Sequence, residues 1–241
     1  MRDTLKNNRY NNSYYKDYLD YELSRLEKFQ RAVDNVINLR GESDRGVQSG
    51  LRTIVGTYFN IINALYSSGA PLEEIKKLFS EVVNSMKKVW NSDSGYVEMV
   101  WMLSIGIMLN ISKDKMAVLE EMVKEDGLED YLIDFLLHYS NSNWDIQAKQ
   151  FKFETPYKYL YKVFDAKDKL EAESNLKKYL IKEWYSGHND TGWYDTHKSS
   201  ENIYSGYWSF ESGAIAKILK LDDEVLKQVP YYPYDMTHYE D

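Results

Sequence analysis

The sequence predicts an all-α protein, a multi-helix bundle of two packed helical subdomains with little or no sheet. Apolar side chains recur at steps of three and four along most of the 241 residues, and no segment sustains the period-two alternation of a half-buried strand. The chain holds only 12 Gly and 4 Pro, so long helices meet few breakers. A chain of this length can also bury a sizeable core.

The first half contains four predicted helices, each marked by an apolar stripe at helical spacing. Gly41 and Gly69 follow the first two stripes, where a left-handed residue commonly ends a helix. Pro71 suits the first turn of the third, and the fourth is almost wholly apolar, as expected of a buried helix. The predicted spans are 17–40, 51–65, 72–90 and 96–110.

The second half is predicted to hold a further set of shorter helices. Ser112 is a suitable N-cap for the first of them, and Asp222 begins the last. Pro230 and Pro233 break the chain into an extended tail over 231–241. The remaining predicted spans are 112–127, 128–139, 156–164, 168–185 and 204–219. We divide the chain into an N-terminal domain, 1–118, and a C-terminal domain, 119–241.

Residues 187–202 differ in composition from the segments around them. They are rich in Gly, Asn, Asp, Thr and Ser around Trp193, Tyr194 and His197, which predicts a long irregular loop. Loops of this length are commonly functional.

The net charge of -8 is unevenly distributed. Residues 1–120 carry 16 basic and 15 acidic side chains, whereas residues 121–241 carry 14 and 23. No arginine lies beyond Arg52, so the second half lacks the side chain best suited to phosphate and direct nucleic-acid binding is not expected. Its charge favours a basic protein partner, although acidic helices that serve only solubility would show the same balance.

The sequence offers no sign of export or of a membrane span. Cysteine is absent, residues 1–15 lack the apolar segment of a secretory signal, and the apolar stretch 99–111 is shorter than the ~20 residues that a spanning helix needs. We therefore expect a cytoplasmic protein that does not bind membranes.

Metal, cofactor and nucleotide chemistry lack the necessary motifs. The histidines show no metal-ligand spacing, even with Asp190 and Asp195 nearby, and there is no glycine-rich phosphate loop. We predict no metal, no cofactor and no catalytic residue. The histidines are His138, His188, His197 and His238.

An enzymatic alternative uses Glu183 and Glu211 as the acid and base of a carbohydrate-active hydrolase, beside Trp184, Trp193 and Trp208. It is weak, because acid pairs can be drawn from any chain this acidic. Glu211 also falls on one apolar face of the predicted helix 204–219, where a buried carboxylate needs a partner. Anchoring the loop through Tyr, Trp or backbone donors is favoured over contact with a ligand.

Aromatic side chains with a polar atom are common anchors of protein interfaces, and several lie in the loop and tail outside any regular stripe. Acidic residues accompany them. The partner-binding candidates are Asp190, Trp193, Tyr194, Asp195, Glu201, Tyr231, Tyr232, Tyr234 and Asp235.

Several motifs occur in order in the C-terminal part: Trp184-Tyr185, Gly187-His188, the run from Gly206 to Glu211, Asp222-Asp223, and the run from Tyr231 to Asp235. Together they resemble the PoNi family of immunity proteins, over about residues 180–236 specifically and over the first half in length and helical pattern. Ser212 and Gly213 depart from the family, which more usually has alanines there. The motif residues expected to be structural are Trp184, His188, Tyr207, Trp208 and Glu211.

The resemblance implies an antidote that is not an enzyme and acts by binding. Its partner would be a cognate toxin of the PoNe DNase type used in competition between bacteria, neutralised in the cytosol of the producer. An acidic antidote could occupy the basic DNA-binding surface of such a toxin, which agrees with the charge asymmetry. A general protein-interaction module without a toxin is the other alternative. The sequence leaves the oligomeric state open.

Overall fold

The computed structural model describes residues 1–3, 5 and 9–240, and within these ranges all regular structure is helical, with no strand. The predicted all-α fold is therefore confirmed. The chain forms two compact units, and each combines separate stretches of sequence. The first comprises residues 1–95 and 201–207, and the second comprises residues 96–200 and 208–241. The division at 118/119 stays a prediction.

The first unit is built on three long helices, α1 (Asn12–Arg40), α2 (Arg45–Ser68) and α3 (Leu72–Met86). α1 begins before the predicted residue 17 because the Asn11 side chain caps it, accepting a hydrogen bond from the Tyr14 N–H at 3.1 Å. Gly69 ends α2 in the left-handed conformation, with φ of 85°. Both α1 and α3 pack on α2, which buries its apolar side chains between them.

Residues 201–207 complete the first unit as a non-helical segment. The Tyr14 hydroxyl donates to the Tyr204 carbonyl at 2.8 Å, and the Ser67 hydroxyl donates to the Ser205 carbonyl at 2.9 Å. The predicted helix 204–219 is therefore wrong over its first six residues. Their backbone carbonyls serve long-range bonds, and Gly206 has φ of 118°, which no helix accommodates.

The apolar helix α4 (Ser92–Met108) departs from helical geometry at Gly95, the last residue of the first unit. Its residues after Gly95 belong to the second unit and are nearly all buried. α5 (Lys113–Asp126) and α6 (Tyr131–Ser140) follow. The short α7 (Tyr161–Phe164) precedes α8 (Lys169–Lys178), which continues as a π-helical turn, Tyr179–Trp184. The last two are α9 (Phe210–Leu219) and α10 (Tyr234–Thr237).

The tail is not fully extended as predicted, because α10 forms directly after Pro233. The Pro233 carbonyl accepts hydrogen bonds from the N–H groups of Met236 and Thr237, each at 3.1 Å. Proline lacks an N–H but keeps its carbonyl, so it ends an extended segment and starts a helical turn equally well.

Candidate functional site

The loop 187–202 is irregular but ordered by local hydrogen bonds, and all of it except residues 201 and 202 belongs to the second unit. The 3-10 turns Ser186–His188 and Thr196–Lys198 lie near its ends. Thr191 and Thr196 each use the side-chain hydroxyl to bind a carbonyl three residues earlier, at 2.7 and 2.9 Å. These turns hold the loop in one conformation and leave its aromatic side chains half-buried.

A group of aromatic rings joins this loop to the π-helical turn and the tail of the second unit. Trp193 stacks on Trp184 with ring centroids 5.5 Å apart, and Tyr231 lies parallel to Tyr185 at 5.4 Å. Tyr194 packs on Tyr185 at 4.7 Å. We call Trp184, Tyr185, Trp193, Tyr194 and Tyr231 the aromatic cluster. Only Trp184 is fully buried, so the cluster presents polar and aromatic atoms at the surface.

Backbone strain occurs within the aromatic cluster. Tyr231 has φ of 70°, in the left-handed region that a bulky side chain rarely adopts. Its carbonyl accepts a hydrogen bond from the Ser209 N–H at 2.9 Å, and its ring lies between Trp184 and Tyr185. Packing therefore fixes a conformation that costs about 1–2 kcal/mol relative to ordinary backbone.

The predicted acidic residues of the loop differ in their surroundings. Asp190 is exposed. Asp195 accepts hydrogen bonds from the Lys198 ammonium at 2.8 Å and the Tyr185 hydroxyl at 2.7 Å, and these two bonds lower the pKa of Asp195. Asp195 is thus a positioned carboxylate whose charge Lys198 already balances.

His188 anchors the start of the loop inside the second unit. Its Nδ1 lies 2.6 Å from the Trp184 carbonyl, which can only accept, so Nδ1 carries the proton and Nε2 accepts from the Tyr157 hydroxyl at 3.1 Å. Burial lowers the pKa of His188 to about 4. The imidazole is therefore neutral at physiological pH and stabilises the fold.

Glu211 lies at the start of α9 with its side chain fully buried. Its Oε1 accepts hydrogen bonds from the Tyr179 hydroxyl at 2.9 Å and the Ser209 hydroxyl at 2.8 Å. Burial raises the pKa of Glu211, although these donors and the Trp184 indole favour the ionised form. Among the described residues, the Trp184 indole N–H and Glu211 Oε2 nonetheless have no partner at hydrogen-bonding geometry. The carboxylate thus contacts the π-helical turn that carries the loop.

The remaining predicted residues are distributed over both units. Trp208 is buried in the second unit, whereas Tyr207 is buried and Glu201 exposed in the first. In the tail, Asp235 is exposed and the half-buried Tyr234 donates its hydroxyl to Glu224.

Tyr232 is only 2% exposed, and its hydroxyl donates to Asp223. A partner cannot reach this side chain, so Tyr232 is not part of an exposed binding surface.

Sequence reasoning missed a second acidic surface, where α5 ends and α6 begins. A groove of about 540 Å³ lies beside the 141–148 segment, which Asp134 fixes by accepting hydrogen bonds from the Trp144 indole and the N–H groups of Gln147 and Ala148 at 2.8–3.0 Å. The signal in the sequence was the density of acids over 120–129. Among the residues that line this groove, Glu129 and Asp145 carry exposed carboxylates.

The structure does not make the Glu183 and Glu211 pair of the enzymatic alternative accessible to a substrate. Glu211 is sealed in the core, whereas Glu183 is half-exposed on the π-helical turn. A sugar could not contact Glu211 without unfolding its surroundings. Within the described residues, no group of three or more potential metal ligands converges, and no helix has the length and apolar character needed to cross a membrane.

Comparison with protein-family models decides the family. Residues 2–121 match the model described as PoNe immunity protein (PoNi), N-terminal, and residues 128–236 match PoNe immunity proteins (PoNi), C-terminal. The chain belongs to the PoNi family. Membership in PoNi indicates an immunity protein that binds a cognate toxin and acts as an inhibitor.

The fold has a solved counterpart in the crystal structure of protein PA2201 from Pseudomonas aeruginosa. The two share 16% sequence identity with a TM-score of 0.72, over 93% of this PoNi chain and 87% of that chain. At this identity the likeness concerns the fold alone. No relative among curated proteins matches the chain.

Proposed function

We propose that this PoNi protein protects its producer by binding a DNase toxin in the cytoplasm and covering the toxin's basic DNA-binding surface. The observation that carries the proposal is the match of two PoNi models in order along nearly the whole chain. A DNase must expose positive charge to hold DNA, and a protein with complementary charge can occupy that surface.

The acidic and aromatic surface of the second unit supports this proposal. This unit, residues 96–200 and 208–241, carries 25 acidic against 16 basic side chains. The aromatic cluster offers half-buried Trp and Tyr side chains on a loop that turns and ring packing already order. Ordered aromatic anchors lose little conformational entropy on binding, and the excess of carboxylates in this unit speeds the encounter with a basic partner.

Co-expression with the toxin encoded next to the gene tests the proposal most directly. We expect the protein to rescue growth, to co-purify with the toxin as a stoichiometric complex and to abolish DNA cleavage by the purified toxin. A protein that neither rescues growth nor binds this toxin would refute the proposed function.

Charge reversal tests the contribution of the second unit. Exchanging the exposed Asp190 and Asp235 for Lys should slow association about three- to tenfold at low salt and leave the melting temperature nearly unchanged. The double variant Asp34→Lys and Glu42→Lys, which reverses two exposed carboxylates of the first unit, is the matched control. An equal loss in the control would mean that net charge, and not this surface, governs association.

A further inference from the structure

The first unit contains an apolar groove that the proposed electrostatic surface does not use. Its volume is about 690 Å³, and it lies along α1, α2 and α3. Ile61 and Leu65 of α2 contribute buried side chains, whereas Leu19 and Leu23 of α1 and Leu78 of α3 remain partly accessible. Leu23 alone is 46% exposed, so the groove leaves apolar surface in contact with water.

The shape of this groove suits a helix. α1 and α3 both pack on α2, and short connections join each of them to α2. Each therefore runs antiparallel to α2, and α1 and α3 run in the same direction on either side of it. The groove extends along α1 from Asn12 to Leu23, about 16 Å at the helical rise of ~1.5 Å per residue. A helix of about three turns laid on α2 between α1 and α3 would complete a four-helix arrangement.

The rim of the groove carries charges that have no partner within the described part of the chain. Their spacing along each helix, three and four residues, would allow pairing, yet they form neither ion pairs nor hydrogen bonds. Elsewhere on α1 such pairing occurs, as between Glu22 and Arg25 at 3.1 Å. The rim side chains are Lys16 and Asp20 on α1, and Glu74 and Lys77 on α3.

We propose that the groove receives an amphipathic helix of the cognate toxin, with its apolar side chains on Leu19, Leu23 and Leu78. This inference rests on the proposed function. Each wall of the groove carries one base and one acid, so the docked helix must carry both signs of charge on its flanks. A purely basic helix would place like charges beside Lys16 and Lys77. The groove therefore recognises a different part of the toxin from its DNA-binding surface.

Leu23→Lys tests the groove, and Leu39→Lys on the same helix is the matched control, because Leu39 is 82% exposed and lies outside the groove. Leu23→Lys should raise the dissociation rate of the toxin complex about tenfold or more, because buried apolar anchors act mainly on dissociation. Association should change less than about threefold, and the control should leave both rates unchanged. Melting curves of both variants establish that they fold.

A photoreactive amino acid gives a second measurement that does not depend on a destabilising change. Placed at Leu23 it should cross-link to the toxin, whereas at Leu39 it should not. Wild-type protein that fails to bind the toxin would refute the proposed function itself. Normal toxin binding by Leu23→Lys without a cross-link at position 23 would overturn only the groove inference. So would concentration-dependent dimers of the chain alone that Leu23→Lys abolishes, because a second copy would then fill the groove.

Discussion

Glu98 is the single charged residue between Tyr96 and the end of α4, and burial raises the pKa of its carboxyl to about 7. No hydrogen bond or ion pair with the described residues offsets that burial. An ionised carboxylate loses hydration when it is buried, and without a partner the loss is not recovered. Glu98 therefore opposes folding at neutral and alkaline pH.

The direction of the pH dependence follows from the two pKa values. The unfolded chain releases this proton near the ordinary value of 4.5, and the folded protein releases it near 7. The stability contributed by protonated Glu98 is complete below pH 4.5 and is lost as pH rises through 7. His188 acts in the opposite direction, because its folded pKa of about 4 lies below the ordinary 6.5. Its contribution is complete above pH 6.5 and is lost as pH falls through 4.

Glu98→Gln isolates the carboxylate from the histidine. Compared with wild type, the variant should gain about 1–3 kcal/mol at pH 8, and the difference should vanish below pH 4.5. Urea unfolding at several pH values measures both free energies, and subtraction cancels the contribution of His188. A constant difference across the whole pH range would show that the amide changes packing and not ionisation.

At the scale of helices, Gly213 illustrates what sequence reasoning reaches and what it does not. A glycine within α9 should weaken the helix by about 1 kcal/mol relative to alanine, and this follows from the sequence alone. The structure adds that a Cβ here would lie 2.5 Å from Met108 Sδ, 2.7 Å from Pro233 Cγ and 2.7 Å from Thr237 Oγ1. The missing side chain lets α10 pack against α9.

Gly213→Ala should therefore destabilise the protein by about 1–3 kcal/mol, because overpacking outweighs the gain in helix propensity. Gly56→Ala in α2 is the matched control, since among the described residues no atom beyond the adjacent helix backbone and chain neighbours lies within 4 Å of a Cβ at that position. The control should be neutral or stabilise by up to about 1 kcal/mol. Thermal or urea unfolding checks both, and a stabilised Gly213→Ala would mean that α10 is not held against α9.

Elements set by local sequence could be predicted, whereas elements set by contacts distant in sequence could not. The long helices follow from periodic apolar residues and from caps such as Gly69, which are visible in the local sequence. Residues 204–209 share the apolar spacing of a helix, but the hydroxyls of Tyr14 and Ser67 bind backbone carbonyls at the start of this segment, which is not helical. Both donors lie far from the segment in sequence. Long-range hydrogen bonds of this kind leave no local signal.

The candidate surface shows the same limit. The loop 187–202 could be located from its turn-forming composition, and the burial of Glu211 from its apolar neighbours. The acidic groove beside 141–148 could not, because it depends on Asp134 binding backbone groups more than ten residues away. Composition indicates that a segment is irregular, whereas its three-dimensional partners decide which side chains it presents.

For the whole molecule, the net charge of -8 predicts how toxin binding responds to salt. Charges attract a basic partner before contact, and ions screen them over a Debye length of about 10 Å at 0.1 M salt. The association rate should fall about tenfold between 0.05 and 0.5 M salt, and the dissociation rate should change much less, because contacts already formed exclude ions. Kinetics with a catalytically inactive toxin measure both rates.

Competition with DNA separates covering of the DNA-binding surface from general electrostatic attraction. If the protein occupies that surface, its association rate with the toxin should fall in proportion to the fraction of toxin that a short DNA duplex occupies. Attraction alone would give the same salt dependence, but the DNA-bound toxin would then still accept the protein in a ternary complex. Sedimentation of the three components at low salt distinguishes the two outcomes. A stable ternary complex would show that the protein inhibits from a site beside the DNA.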